Sequence, residues 1–299
     1  SYFFERILPE PGIARNLLRV LSERLRRNND ALLQGLRQQL VLEHIQKELR
    51  VASEIQLSML PPPTMSAEAM AASPDVEVFA SIEPAREVGG DLYDYFRTPD
   101  GRLCVMIGDV SDKGMPAALF MARTVDLVRS VSQLLRGPLG GAATPGDILG
   151  QVNRDLCRNN GSFMFVTMFL GVLDPQTGEF AYCNAGHNTP YLLRTDGRTE
   201  LVDGTRGPPL GVRADVAYPT NGTRLGVDDL LFMYTDGITE AATSDDELFG
   251  EERLEAVLAD HALREAQVLV TRAIAAVKAF AGNAAQSDDI TALALRRAP

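Results

Sequence analysis

Three consecutive prolines, Pro61-Pro62-Pro63, divide the chain into two parts with different periods. Proline lacks the backbone donor that a helix needs and its ring clashes with the preceding turn, so a helix arriving here must stop. Upstream, from Ile13 to Met59, there is no proline, and apolar residues recur at helical spacing. Leu42, Ile45, Leu49, Ala52 and Met59 fall on a and d positions of a heptad, with Gln56 as the polar interruption. Run backward, that register meets Gly35 and Gln38, so the seam is broken in the middle. The pattern predicts a short coiled coil, or a helical hairpin against a partner chain, and a homodimer formed through residues 13–58. The alternative is a helix that packs only on its own domain.

Downstream the period changes. Val76, Val78 and Ala80 alternate with more polar positions, as a half-buried strand does. Further strand-like runs are Leu103–Ile107, Phe163–Leu173, Phe180–Cys183, Tyr191–Leu193, Leu230–Tyr234 and Ile290–Leu295. Turn signals lie between them at Pro99-Asp100-Gly101, Asp174-Pro175-Gln176-Thr177-Gly178 and Thr195-Asp196-Gly197, and strands joined so tightly must run antiparallel. Helical segments follow Gly114 as far as Leu135, then Pro145–Arg158, Glu251–His261 and Arg264–Ala281. Antiparallel strands with helices added in pairs predict a layered α+β sandwich and not a Rossmann fold. The compact part is expected to begin near residue 74, giving a helical linker over residues 1–60 and one domain over 61–299.

Composition narrows the function. With 29 Lys and Arg against 40 Asp and Glu, the net charge is −11, which argues against nucleic acid as a partner. An excess of carboxylates suits a cation-binding protein, though a solvated acidic surface would give the same sum. Nothing approaches the roughly 18 consecutive apolar residues that a membrane span needs, and the first residues do not have the make-up of a signal peptide. With no initiator methionine, Ser1 is expected to open a piece of something longer. Cys104, Cys157 and Cys183 have no metal-like spacing, so buried thiols in a reducing cytoplasm are expected.

Four segments share one design, an aspartate at the end of an apolar run beside glycine or a second carboxylate. They are Gly89-Gly90-Asp91-Leu92-Tyr93-Asp94, Ile107-Gly108-Asp109-Val110-Ser111-Asp112-Lys113-Gly114, Tyr234-Thr235-Asp236-Gly237-Ile238-Thr239-Glu240 and Gln286-Ser287-Asp288-Asp289-Ile290-Thr291. A carboxylate at a strand end is rigidly placed, and an adjoining glycine lets backbone or ligand come close. One such segment is a common turn; four point to a shared site. Gathered without cations, four aspartates would repel one another, whereas Mg²⁺ and Mn²⁺ take oxygen ligands. Only His44, His187 and His261 are available as softer nitrogen ligands, and His44 and His261 fall in helical stretches, which disfavours zinc and iron.

In this order and spacing the four segments resemble those of the metal-dependent protein phosphatases of type 2C, most closely the bacterial SpoIIE/RsbU-like branch. The resemblance runs from about Ile55 to Leu295. It includes Glu54-Ile55-Gln56-Leu57-Ser58-Met59-Leu60-Pro61, Val88 ahead of the first acidic segment, Met115-Pro116-Ala117-Ala118, Asn184-Ala185-Gly186-His187 and Gly207-Pro208-Pro209-Leu210-Gly211. It implies a four-layer αββα sandwich, two antiparallel sheets flanked by helix pairs, with two divalent cations, Mn²⁺ or Mg²⁺, at one edge. By the same resemblance Asp109 bridges both cations, Asp91 and the Val110 carbonyl serve one, and Asp236 and Asp288 serve the other, with Asp289 as the alternative to Asp288. Such a pair, roughly 3.5–4 Å apart, activates water for in-line attack on phosphorus with no covalent enzyme intermediate.

The implied reaction is hydrolysis of phosphoserine or phosphothreonine on a regulatory protein, an anti-sigma-factor antagonist in a partner-switching signalling pathway. Many type 2C enzymes carry a histidine two residues after the bridging aspartate; here Ser111 stands there, the branch generally lacking the histidine too, and a metal-bound water is left as the proton source. Arg86 is a candidate to grip the substrate phosphate, with Lys113 as a weaker one. His187 resembles a structural turn residue, and Asp94 and Asp112 are expected to support the ligands or face solvent. The helix after Gly114 presents Met115, Leu119, Phe120, Met121, Leu127, Val128, Val131 and Leu134, an apolar face of the kind that packs in a core. In this branch it resembles a regulatory element able to move Asp109 and Val110. A catalytically silent regulator-binding module is the alternative function. Gly89-Gly90-Asp91 also occurs in diguanylate cyclases, but Leu92-Tyr93 and the antiparallel strand order speak against that class. At the front, Phe4-Glu5-Arg6-Ile7-Leu8, Pro11 and residues 17–26 resemble the closing helix of a cyclic-nucleotide-binding-type sensor domain.

Overall fold

A computed structural model describes residues 11–65, 75–135, 141–260 and 265–298. The segment Phe4–Leu8 and the helix-end residues His261 and Arg264 lie outside these. The chain forms two compact units, Ser1–Ala52 and Ser53–Pro299.

Helix α1 runs unbroken over Pro11–Met59, through Gly35, so it is one helix and not a hairpin. Within the first unit most of its large apolar residues are exposed, Leu25, Leu32 and Leu40 to 63%, 63% and 65%, while Leu49 is partly covered. The heptad residues Leu42 and Ile45 are exposed as well. No helix among the described residues is long and apolar enough to cross a membrane.

The second unit contains the last turns of α1 followed by two sheets. The strands are β1 (Val76–Glu83), β2 (Leu92–Arg97), β3 (Leu103–Val110), β4 (Val166–Leu173), β5 (Glu179–Ala185), β6 (Tyr191–Leu193), β7 (Thr199–Leu201), β8 (Arg206–Gly207), β9 (Asn221–Arg224), β10 (Leu230–Tyr234) and β11 (Ile290–Arg297). The helices between them are α2 (Met115–Leu134), α3 (Pro145–Cys157), α4 (Asp236–Thr239), α5 (Gly250–Leu258) and α6 (Ala266–Ala281). One sheet has the order β1-β11-β10-β6-β7, the other β2-β3-β4-β5-β8 with β9 also on β5. Pairing is antiparallel except between β5 and β8, whose long connection through β6 and β7 allows a short parallel match. The predicted turns do join β2 to β3, β4 to β5 and β6 to β7.

Alternation along the strands sorts side chains into two cores. Val78, Ala80, Leu231, Met233, Leu293 and Leu295 face the other sheet. Their neighbours Phe232, Tyr234, Ala292 and Ala294 face outward against Leu269, Val270, Ala273 and Val277 of α6. The small Ala292 and Ala294 let α6 lie close, while Ile148, Leu149, Val152 and Leu156 of α3 join the inter-sheet core cluster on the other side. The result is the αββα sandwich, with both strands of such pairs apolar along their length because both faces are covered.

Three expectations need correcting. The run Phe163–Leu173 becomes strand only at Val166; Phe163 has φ 54° and its ring is 87% exposed. In α2 the buried face includes Thr124 and Ser132, whereas Met115, Leu119 and Leu134 are exposed, because the covered stripe follows Ala117, Phe120, Met121, Val125 and Val128. Asp94 neither faces solvent nor joins the other aspartates: fully buried in β2, it accepts both nitrogens of the Arg129 fork from α2 and the Tyr95 backbone N–H. Burial pushes its pKa up, and the Arg129 pairing works against that shift. Arg129 also lies over the Phe96 ring, 5.6 Å from its centre.

Candidate active site

Strand register gathers the aspartates. Leu92 pairs with Gly108 at the end of the β2/β3 ladder, and one step further sets Asp91 opposite Asp109. The next step is made by the backbone, Val110 N donating to Gly90 O. In the other sheet Tyr234 pairs with Ala292, and Thr235 N donates to Thr291 O just before Asp236 opens α4. Asp288 and Asp289 immediately precede β11. Antiparallel neighbours put the start of one strand beside the end of the next, so all four segments share one rim of the sandwich.

The two sheets are joined there by hydrogen bonds to carboxylates. Asp91 is 2% exposed, and its Oδ2 accepts from Thr235 Oγ1 at 2.8 Å and Thr291 Oγ1 at 2.5 Å. Burial, followed by the charge of Asp109, holds its pKa well above the usual carboxylate range, against the help of both threonines. Asp109 is pushed up to about 7, first by burial and then by Asp236, Asp288 and Asp289. Asp236 is raised by burial, Glu240 and Asp288, and lowered by Lys113. Burial first, and then the charge of neighbouring carboxylates, makes each of these three carboxyls resist ionising.

Asp288 and Asp289 are told apart by what they touch. Asp288 is partly exposed, accepts from Lys113 Nζ at 2.8 Å and acts on both Asp109 and Asp236. Asp289 is buried and staples backbone, accepting from Ala85 N at 2.8 Å, Gly90 N at 2.9 Å and Asp91 N at 3.4 Å. Glycine is required around it. A Cβ on Gly89 would lie 2.0 Å from Asp289 Oδ2, and one on Gly90 would lie 2.8 Å from Val110 O. The Gly90 contact means that the Val110 carbonyl and the first acidic loop approach only because a side chain is missing.

Gln56 was read as a flaw in a heptad. It is buried instead, its Nε2 donating to Gly89 O at 2.6 Å and its Oε1 accepting from Gly89 N at 3.3 Å. The last turn of α1 thus holds the loop that carries Asp91, and the Pro61 and Pro62 carbonyls accept from Tyr93 and Tyr95 hydroxyls beyond it. Gln56→Ala would leave two buried backbone groups of Gly89 unpaired, at about 1–3 kcal/mol. Its expected effect is a lower melting temperature and, through a shifted Asp91, a fall in turnover of up to about 100-fold at saturating Mn²⁺. Unchanged turnover in that variant would separate the contact from the site.

The other candidates divide. Arg86 is exposed and makes no hydrogen bond or ion pair among the described residues. Lys113 is engaged with Asp288 and with Ser287 O at 2.6 Å. Ser111 ties the third-strand loop to the start of β4, its Oγ accepting from Phe165 N at 3.0 Å and its N donating to Phe165 O at 2.9 Å. His187 is 2% exposed, closes a turn with the Asn184 side chain and shares a 2.8 Å hydrogen bond with Thr167 Oγ1. Burial lowers its pKa to about 4, so the ring is neutral and structural. Asp112 is exposed at φ 66°. Thr235 and Thr291 escaped the sequence reasoning although both stand inside the quoted segments, because a threonine in a strand is ordinary.

The donor chemistry, carboxylates and a carbonyl, suits hard divalent cations. Among the described residues no three Asp, Glu, His or Cys side chains are yet closed around one point as in a formed metal site.

Comparison with known proteins agrees with this architecture. Residues 99–298 match the family model described as Stage II sporulation protein E (SpoIIE), a span that includes Asp109, Val110, Asp236 and Asp288 and begins after Asp91. Protein IcfG of Synechocystis sp. is 30% identical over 281 residues, 84% of this chain and 41% of its own length. The phosphoserine phosphatase RsbU of Bacillus subtilis is 25% identical over 230 residues, 77% of this chain and 64% of its own length. The chain therefore spans less than two thirds of either relative. The SiaA-PP2C domain of Pseudomonas aeruginosa superposes with a TM-score of 0.70 at 24% identity, covering 86% of this chain and 98% of that one. At that identity the likeness speaks for the fold.

Proposed function

Because the chain belongs to the Stage II sporulation protein E (SpoIIE) family of PP2C-type phosphatase domains, we propose that it is a metal-dependent serine/threonine protein phosphatase. The observation that carries this is the rim itself, where burial first and then the neighbouring aspartates of both sheets raise these carboxyls, Asp109 to about 7. Asp109 would serve two cations, Asp91 and the Val110 carbonyl one of them, and Asp236 and Asp288 the other. When bound, Mn²⁺ or Mg²⁺ would supply an acidified water and offset the charge of the phosphoryl group.

The chain's own residues set the conditions for that chemistry. Thr235 and Thr291 fix one oxygen of Asp91, leaving the other to face Asp109. Asp289 and Gln56 hold the Gly89-Gly90 backbone from two sides. Lys113 steadies Asp288. Arg86, with no partner among the described residues, can take two phosphate oxygens in a fork. His187 is too buried to act as the acid for the leaving oxygen.

RsbU is named a phosphoserine phosphatase, which supports phosphoserine as the substrate; the resemblance of the sequence motifs extends the proposal to a phosphorylated regulatory protein, an anti-sigma-factor antagonist in partner switching. The test is hydrolysis of a phosphoserine peptide in Mn²⁺. Steady release of phosphate that EDTA abolishes is expected; no release across millimolar Mn²⁺ would overturn the assignment. A silent binding module is the alternative. A Mn²⁺ titration separates the two, since a silent module would take up none in the millimolar range.

Residues 1–60 serve in this proposal as a linker and 61–299 as the phosphatase domain, with Gln56 and Leu60 docked on the latter. The exposed leucines of α1 support a homodimer through residues 13–58. Light scattering should give twice the chain mass for the whole protein and a monomer for a chain beginning at Ser53, which keeps Gln56. Equal association of both would remove the idea. Three free thiols, two of them buried, support a cytoplasmic setting.

A further inference from the structure

Beside the carboxylate rim lies a hollow of about 240 Å³ whose floor is Val277 and Ile290 and whose walls are Ala241, Ala242, Ala281 and Ala285. Here the segment after α4, the end of α6 and the loop before β11 bring mostly small side chains to it, with Lys278, Gln286 and Asp288 as the long polar ones. A Cβ on Gly282 would meet nothing within 4 Å, so the far side is open. The hollow is too small for the roughly 300–1,000 Å³ of a site enclosing a whole small-molecule ligand. It is several times the roughly 30 Å³ that one water occupies. One or two apolar side chains would fit.

Position decides whose side chains these are. Asp288 and Gly237 line the hollow, and Gly237 directly follows Asp236. One of the aspartates proposed to hold cations, Asp288, therefore lines this space, and Asp236 adjoins a lining residue in the chain. Its polar rim is committed internally: Lys278 pairs with Glu83, and Gln286 Nε2 donates to the Glu83 and Asp288 carbonyls. A substrate that brings a phosphorylated residue to the rim brings its neighbours along at about 3.3–3.6 Å per residue. We propose that this hollow is a specificity pocket for an apolar side chain one to three residues from the phosphorylated residue of the substrate. The proposal rests on the phosphatase assignment and names a feature of its substrate.

Synthetic phosphoserine peptides carrying alanine, leucine or phenylalanine at each of the three positions on either side test it, with p-nitrophenyl phosphate as a substrate without neighbours. The 299-residue chain in Mn²⁺ should prefer leucine or phenylalanine over alanine by about tenfold or more in kcat/KM at one or two positions and be indifferent elsewhere. Ala281→Leu, which keeps a good helix former at the end of α6, should fill the hollow and abolish that preference. Hydrolysis of the alanine peptides and of p-nitrophenyl phosphate should be unchanged. Ala242→Leu fills it from the opposite wall and should do the same. Equal rates for all peptides, with p-nitrophenyl phosphate hydrolysed, would overturn the pocket and leave the phosphatase assignment standing. A preference that survives both variants would also overturn it, as would an equal loss on every substrate in both. No hydrolysis of any substrate would overturn the phosphatase assignment, and the pocket with it.

Discussion

Asp109→Ala is expected to lower kcat/KM on a phosphoserine peptide by about 10³-fold or more, because losing the ligand proposed for both cations would remove the several kcal/mol that such cations supply to a transition state. The same change should raise the melting temperature of the metal-free protein. In the folded state Asp109 titrates near 7, against an ordinary 3.8 when unfolded. Between those values the folded protein binds more protons than the unfolded one, so stability falls as pH rises through the window. The contribution is fully present below about pH 4 and lost above about pH 7. In EDTA, melting of the unmodified chain should therefore decline from pH 4 to 7, and the Asp109→Ala variant should decline less. Saturating Mn²⁺ should reverse the order of the two proteins at pH 7, since only the unmodified chain gains from binding. A variant that melts lower than the unmodified chain in EDTA would mean that Asp109 supports the fold, and its loss of activity would then say nothing about cations.

Much of this site could be read from local pattern, and what could not has a common physical cause. The proline triplet and the change from a 3.6 to a 2 period located the end of α1 and the start of the sandwich, because helix termination and strand alternation are properties of neighbouring residues. The glycines beside Asp91 and Asp109 were legible for the same reason. Gln56 was not: its partner Gly89 is 33 residues away, and within its own helix a polar residue at an a position looks like a seam defect. Thr235 and Thr291 reach Asp91 across 144 and 200 residues. Asp94 was misplaced because its partner, Arg129, lies on an apolar helix whose orientation no spacing rule fixes. Contacts between sheets, or between a helix and a distant loop, are set by packing.

The adjacent pair Asp288-Asp289 shows that limit most sharply, and it yields the second large effect. Neighbouring residues entering a strand point to opposite sides, so one of the two must face the rim and the other the loop behind it. Only the register with β1 and β10 decides which. Asp289→Ala should destabilise the protein by about 3 kcal/mol, roughly 6–12 °C in melting temperature, by stripping acceptors from the buried N–H groups of Ala85, Gly90 and Asp91. Asp288→Asn should leave melting in EDTA nearly unchanged, because it gives up a half-exposed pairing with Lys113 and also relieves repulsion on Asp109 and Asp236. Its cost should appear in metal use. Loss of groups that merely support a ligand weakens metal sites about 10–100-fold, so the Mn²⁺ concentration for half activity should rise at least that much. Added Mn²⁺ should then restore part of the activity to Asp288→Asn and none to Asp289→Ala, whose Gly90–Asp91 backbone is no longer held. The opposite pattern, a stable Asp289→Ala that Mn²⁺ rescues beside an unstable Asp288→Asn, would exchange the two roles and make the second carboxylate the ligand.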